Sequence, residues 1–248
     1  MKAKTKLFLH MGPGFHSLIE ASMFASKIPE MEFWNQPKTA SFADLVTAAS
    51  EVFLNLKQDK VDLYAHSFGA HLALRLVQKF PDKVGKVVIL NSAVNPFSCF
   101  LNVGSKLNVL NATEVKALKS GSSDAKMEAI FKVATSSGFN SVYWYSAEKQ
   151  KQIESNYFSQ FPSVDLTVFS SVFKDFLDQQ ASERNVVSWN GPVRVIYSEN
   201  DALLTYTDDV APWKHVFPNV TFENVKGVGH YAHLESAAVA DKFFLLGL

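Results

Sequence analysis

Three side chains in this sequence could share the work of acyl transfer: Ser67, Asp201 and His230, in that order along the chain. A serine hydroxyl is a weak nucleophile until a base removes its proton, and the base needs an acid to hold its tautomer. Ser67 sits at the centre of Ala65-His66-Ser67-Phe68-Gly69, with small residues two before and two after it. That spacing suits a sharp strand-to-helix turn, where neighbouring backbone must pass close by and the central hydroxyl is lifted to a helix N-terminus. Seven histidines are available as the base. His10 and His16 flank an early Gly-Pro-Gly loop, His66 and His71 lie beside Ser67, and His215 belongs to a surface helix. His230, in Gly227-Val228-Gly229-His230-Tyr231-Ala232-His233-Leu234-Glu235, follows a strand and a glycine-rich loop, and so can reach across a sheet edge. His233 reads as a structural, hydrogen-bonded histidine.

The acid must come from a loop at the same edge. Val193 to Tyr197 is a buried-strand run that ends in Ser198-Glu199-Asn200-Asp201. Asp201 is 29 residues before His230, room for one helix and one strand, which brings both loops out together. Glu199 is the main rival, and Asp208 and Asp209 are weaker ones inside the next helix. A solvated surface carboxylate is the expectation for these three. Oxyanion donors come from two backbone N–H groups, that of Phe68 and that of Gly12 or Met11, the latter in Leu9-His10-Met11-Gly12-Pro13-Gly14-Phe15. Pro13 biases Gly12 towards an extended backbone. No Gly-Lys-Ser/Thr follows this loop, so it is a poor phosphate cradle. Substrate contacts are expected from His10, Phe15, His66, Phe169 and Phe173. Such a site needs neither a metal nor an organic cofactor.

The elements that position these residues are short continuous apolar runs at Lys6 to His10, Val61 to Ala65, Lys86 to Leu90 and Val193 to Tyr197, with Val220 to Val225 nearer an edge. Such runs, separated by helical stretches, specify an α/β fold with a mostly parallel sheet covered by helices on both faces. Gly69, Ala73, Leu76, Val77 and Phe80 share one face of a helix closed by Pro81, and Leu234 to Leu246 reads as another. The rhythm breaks from Asn95 to about Trp189. That stretch has helical patterns and no convincing strand, and Asn111 with Glu114 forms a capping-box pair. The expected organisation is a core of 1–95 and 190–248, interrupted by a helical cap over 96–189.

The chain has 248 residues, 47% hydrophobic and 19% charged, enough for a sizeable core and unlike a disordered or disulfide-built protein. Lys+Arg and Asp+Glu balance at 24 each, which argues against a nucleic-acid or anionic-membrane partner and leaves a small molecule as the expected one. No apolar run approaches the length of a membrane span. Only Leu7, Phe8 and Leu9 follow the basic N-terminal residues, too few for a signal-peptide core. The single cysteine, Cys99, fits a reducing, cytoplasmic setting. Of 21 phenylalanines, Phe158, Phe161, Phe169, Phe173 and Phe176 crowd one stretch, and the last three share a helical face. That face packs the cap onto the body or roofs the pocket over Ser67.

The ordered elements together resemble the α/β-hydrolase superfamily, in particular its proline-iminopeptidase-like and carboxylesterase-like members. His10-Met11-Gly12-Pro13-Gly14 is similar to the family's His-Gly-Gly-Pro-Gly oxyanion loop, with Met11 in place of the first glycine. Gly-His-Tyr-Ala-His-Leu-Glu is similar to its closing motif, whose first histidine is the catalytic one. Ala65 stands where glycine is commoner, and the one or two N-terminal strands many members carry are missing, so a small sheet is expected. The resemblance implies a serine hydrolase acting on a carboxylic ester or thioester through an acyl-enzyme. Dehalogenase- and epoxide-hydrolase-type members need a carboxylate where Ser67 stands. The alternatives are an aminopeptidase or a C–C bond hydrolase on the same triad, or a non-catalytic small-ligand-binding protein. An aminopeptidase would need a cap carboxylate, for which Glu148, Glu154 and Glu183 are available.

Overall fold

The computed structural model describes residues 4–161, 164–180 and 187–245. Alternation within the apolar runs decides the layering. In strand β1 (Lys6–Leu9), Leu7 and Leu9 face one layer of helices while Phe8 faces the other. The same division separates Leu63 and Ala65 from Tyr64 in β3 (Val61–His66), and Val87 and Ile89 from Val88 and Leu90 in β4 (Val84–Leu90). With β2 (Met31–Trp34), β5 (Val193–Ser198) and β6 (Val220–Val225), these strands form a six-stranded, all-parallel sheet in the order β2-β1-β3-β4-β5-β6.

Helices cover both faces. On one side lie α1 (Leu18–Phe24), α9 (Ala232–Glu235) and α10 (Ala237–Phe244), and on the other α2 (Phe42–Asn55) and α3 (Gly69–Lys79). Between β4 and β5 the described residues run through α4 (Pro96–Lys106), α5 (Ala112–Ser120), α6 (Ser123–Ala134), α7 (Ala147–Asn156) and α8 (Leu166–Gln180), with no strand among them. The Asn111–Glu114 capping box opens α5 as expected. The phenylalanine face packs its helix onto the body. Phe176 packs onto the body against Phe42 and Phe68, at ring-centroid distances of 4.9 and 5.0 Å.

Two local expectations are corrected. The sheet gains β2, which carries half-buried Glu32 and Phe33 and shows no apolar run. The final helix is broken: Ser236 turns extended (φ −136°, ψ 121°) and its side chain caps α10 through the Val239 N–H. No helix among the described residues is long and apolar enough to cross a membrane.

Candidate active site

The turn from β3 into α3 bends as its small residues require. Ser67 adopts φ +54°, a left-handed conformation that costs a non-glycine residue energy and marks functional turns. The turn is held by the Ser67 N–H donating to Leu90 O (3.0 Å) and the Ala70 N–H donating to Ser67 O (3.1 Å). Gly69 is needed for close approach, because a Cβ there would overlap the carbonyl oxygen of Leu9 at the end of β1. The Ser67 side chain is therefore raised at the edge of the sheet, beside the start of a helix.

His230 and Asp201 meet it from two other strand ends. His230 Nε2 lies 2.9 Å from Ser67 Oγ, and His230 Nδ1 lies 2.7 Å from Asp201 Oδ2. A carboxylate can only accept, so the proton sits on Nδ1 and the bare Nε2 faces the serine hydroxyl. Both His230 and Asp201 are buried, and the second Asp201 oxygen accepts the Leu203 N–H at 2.8 Å. The rival acids lie elsewhere. Glu199 is exposed and pairs with Lys226, and Asp208 is exposed. Asp209 departs from expectation. It is fully buried, and its Oδ2 accepts from Thr205 N, Thr205 Oγ1 and Asn102 Nδ2 (2.6, 3.0 and 3.0 Å), fastening the turn Tyr206–Val210 to α4.

The early loop also differs from expectation in its backbone. Gly12 has φ +56° and is not extended; the missing Cβ permits this, since a side chain would strike the Phe15 ring. Gly12, Met11 and Phe68 line a chamber of about 60 Å³ that contains Ser67. A second chamber of about 490 Å³ shares Met11, Phe15, Phe100, Tyr143 and Phe169 with it. Phe15 and Phe169 border both chambers, and Phe173 borders the smaller.

His10 and His66, the other expected contacts, border neither chamber. His10 is fully buried, bonded through Nδ1 to Met11 O (2.8 Å), and burial lowers its pKa to about 4. His66 Nε2–H donates to the carbonyl of His230 at 2.9 Å, so it supports the histidine loop from below. His215 is exposed at the end of a 3-10 turn. His233 is hydrogen-bonded as expected, to Glu20 Oε1 at 3.2 Å. Glu20, His66 and His233 together offer ligand atoms within 4.8 Å of one another, a set of the kind that holds transition metals. Hydrogen bonds to Glu20 and to the His230 carbonyl engage Nε2 of each ring, and Nδ1 of both rings is buried without a hydrogen-bond partner among the described residues.

Sequence reasoning missed two side chains that hold the histidine loop. Asn91, at φ +45° after β4, donates from Nδ2 to the carbonyls of Gly229 and His230 (both 3.0 Å) and accepts the Ser198 N–H at 2.8 Å. Glu235 accepts N–H groups from Gly229 (2.7 Å), Tyr145 (3.1 Å) and Ser146 (2.9 Å), joining that loop to the start of α7. The two tyrosine rings at the site, Tyr143 and Tyr231, were also unmarked. Of the three acidic residues considered for an amine, Glu154 borders the larger chamber, Glu148 is exposed, and Glu183 lies outside the described residues.

Known structures share this arrangement of chain. A proline iminopeptidase-related protein from Thermus thermophilus superposes with a TM-score of 0.70 at 14% identity, covering 97% of this chain and 87% of that one. An epoxide hydrolase from Bacillus megaterium gives 0.61 at 14% identity, over 98% and 92% of the two chains. The 2-hydroxy-6-oxo-6-phenylhexa-2,4-dienoate hydrolase of a Rhodococcus species gives 0.61 at 15% identity, over 96% and 87%. No curated protein matches by sequence. The family described as alpha/beta hydrolase fold matches residues 26–237, most of the sheet and the whole helical segment. With the parallel sheet and its coverage by helices on both faces, that match makes this chain a member of the alpha/beta hydrolase fold family.

Proposed function

We propose that the protein is a serine hydrolase that cleaves a carboxylic ester or thioester of a small, largely apolar substrate. The observation that carries this reading is the continuous line from Ser67 Oγ through His230 to Asp201, at 2.9 and 2.7 Å. His230 Nε2 takes the Ser67 proton as Oγ attacks the acyl carbon. Asp201 holds the imidazole and balances its charge while the imidazolium exists. The negative oxygen of the tetrahedral intermediate rests against the backbone amides of Phe68 and of Gly12 or Met11. His230 then gives its proton to the leaving group, forming the acyl-enzyme. Water, deprotonated by the same histidine, releases the acid and regenerates Ser67. No metal or organic cofactor takes part. The helical segment over 96–189 acts as a cap whose aromatic side chains keep water out of the site.

Epoxide opening is disfavoured even though an epoxide hydrolase shares the fold, because a hydroxyl stands where that chemistry uses a carboxylate. A second reading, an aminopeptidase, draws support from Glu154, whose carboxylate borders the larger chamber where a substrate amine could bind. A C–C bond hydrolase would use the same triad. A fluorophosphonate probe tests the class: labelling of wild type but not of Ser67→Ala is expected. No labelling of wild type would leave a non-catalytic, ligand-binding protein.

A further inference from the structure

We infer that, given the serine-hydrolase reading, the substrate is divided unequally. A short acyl group sits beside Ser67, while a bulky, aryl-bearing and non-anionic leaving group fills the larger chamber.

The direction of the division follows from proton transfer. His230 must hand its proton to the departing atom, so the leaving group lies on the His230 side of the scissile bond. On that side stand Tyr231, next to His230 in the chain, and Tyr143, whose ring lies edge-on to the imidazole at 5.3 Å and 78°. Both border the large chamber, and Tyr231 borders that one alone. The acyl group must then point the other way, towards Ala93, Phe173 and Leu203, which border only the small chamber.

Size sets the chain length. The chamber beside Ser67, about 60 Å³, is roughly an eighth of the other, about 490 Å³, so it takes much the shorter group. Its far wall is firm: Phe173 is buried, stacks on Phe169 at 5.3 Å and 13°, and meets Phe68, Phe97 and Phe100. The other chamber, of about 490 Å³, has room for a fused-ring alcohol. Phe139, Trp144, Phe158 and Phe161 add to its aromatic lining.

Charge sets the leaving-group class. Glu20 and Glu154 are the acidic side chains lining the large chamber, beside His16, and no lysine or arginine lines it among the described residues. A leaving group bearing phosphates, such as coenzyme A, would meet carboxylates without a cationic partner, and its desolvation would go uncompensated. The candidate thioesters therefore narrow to uncharged ones.

A matched panel tests this on the full-length protein. The esters are 2-(1-naphthyl)ethyl acetate, the octanoate of the same alcohol, and ethyl acetate, which keep the leaving alkoxide's basicity nearly constant. Acetyl-coenzyme A and the thioacetate of 2-(1-naphthyl)ethanethiol make the charge comparison. The naphthyl acetate is expected to exceed both other esters in kcat/KM by at least about tenfold, and the uncharged thioacetate to exceed acetyl-coenzyme A by a similar factor. Phe173→Ala should raise octanoate turnover relative to acetate at least about tenfold. Turnover in which octanoate or ethyl acetate equals the naphthyl acetate would overturn the division. Acetyl-coenzyme A matching the uncharged thioester would overturn the charge argument. If no ester turns over and no fluorophosphonate labels Ser67, the serine-hydrolase reading itself falls, and this inference with it.

Discussion

The side-chain amide of Asn91 donates to the main-chain carbonyl of His230 at 3.0 Å, from the end of β4 to the loop after β6. The same side chain also accepts the N–H of Ser198, three residues before Asp201. One buried amide thereby sets the distance between the acid loop and the histidine loop. Asn91→Ala should lower kcat by about 100-fold with KM little changed, because misplacement of a catalytic group by about 1 Å has that effect. Asn91→Gly relieves the left-handed backbone at φ +45° but removes the same bonds, so it should fall as far. Recovery of activity in the glycine variant would mean that backbone conformation, and not the side chain, matters at this position.

The choice of acid can be tested at two positions of one loop. Asp201→Asn should reduce kcat by about 10⁴, since the amide favours the wrong histidine tautomer. Glu199, exposed and paired with Lys226, should tolerate replacement by Gln with activity unchanged. Steady-state kinetics on any ester that the wild type hydrolyses distinguish the two; the opposite pattern would assign the acid to Glu199.

Glu235 accepts backbone N–H groups from Gly229, Tyr145 and Ser146 with its two carboxylate oxygens. Glu235→Gln keeps the shape but turns an NH₂ towards at least one of these donors. An unsatisfied, buried N–H costs about 1–3 kcal/mol, so urea unfolding should shift down by about 2 kcal/mol. An unchanged midpoint would show that the three donors find other partners.

Acid should destabilise the fold before its carboxylates titrate. Burial lowers the pKa of His10 to about 4, and burial, then Arg75, lowers that of His71 to about 3. In the unfolded chain both return to about 6.5, so between pH 6.5 and 4 the unfolded state binds more protons. Their contribution to stability is present in full above pH 6.5 and declines as the pH falls. Urea midpoints measured from pH 7 to pH 4.5 should decrease, and His71→Asn should flatten part of that slope. His71 sits against Phe176 and Trp213, at ring-centroid distances of 4.8 and 6.0 Å, which leaves little room to solvate a charged imidazole.

Some of this architecture was legible because its cause is local. β6 is a partly exposed edge strand with a weaker pattern, while β1, β3, β4 and β5 are largely apolar, mostly buried runs, so each announces itself within a few residues. β2 does not, since an edge strand of four residues with Glu32 and Phe33 half-buried shows neither a run nor an alternation. Ser236 looked like one more helical position, and only the docking of α10 on the sheet makes it a cap. Asp209 reads as a surface acid because one of its partners, Asn102, is 107 residues away and meets it only in the folded chain. Gly12 precedes Pro13 and is expected to be extended, but with no Cβ to strike the Phe15 ring it takes the left-handed form.

By itself the sequence determined the strand–turn–helix around Ser67, the glycine-bearing loops, and the order serine, acid, histidine, because each depends on neighbours along the chain. Only the tertiary structure decided which carboxylate touches His230 and which side chains hold its loop. Asp201 lies 29 residues from His230 and Asn91 lies 139 from it, and these contacts form only once the parallel sheet brings its strand ends to one edge. The two chambers were decided there as well: their shape comes from Phe15, Phe100, Tyr143 and Phe169, rings drawn from four separate segments that packing alone brings together.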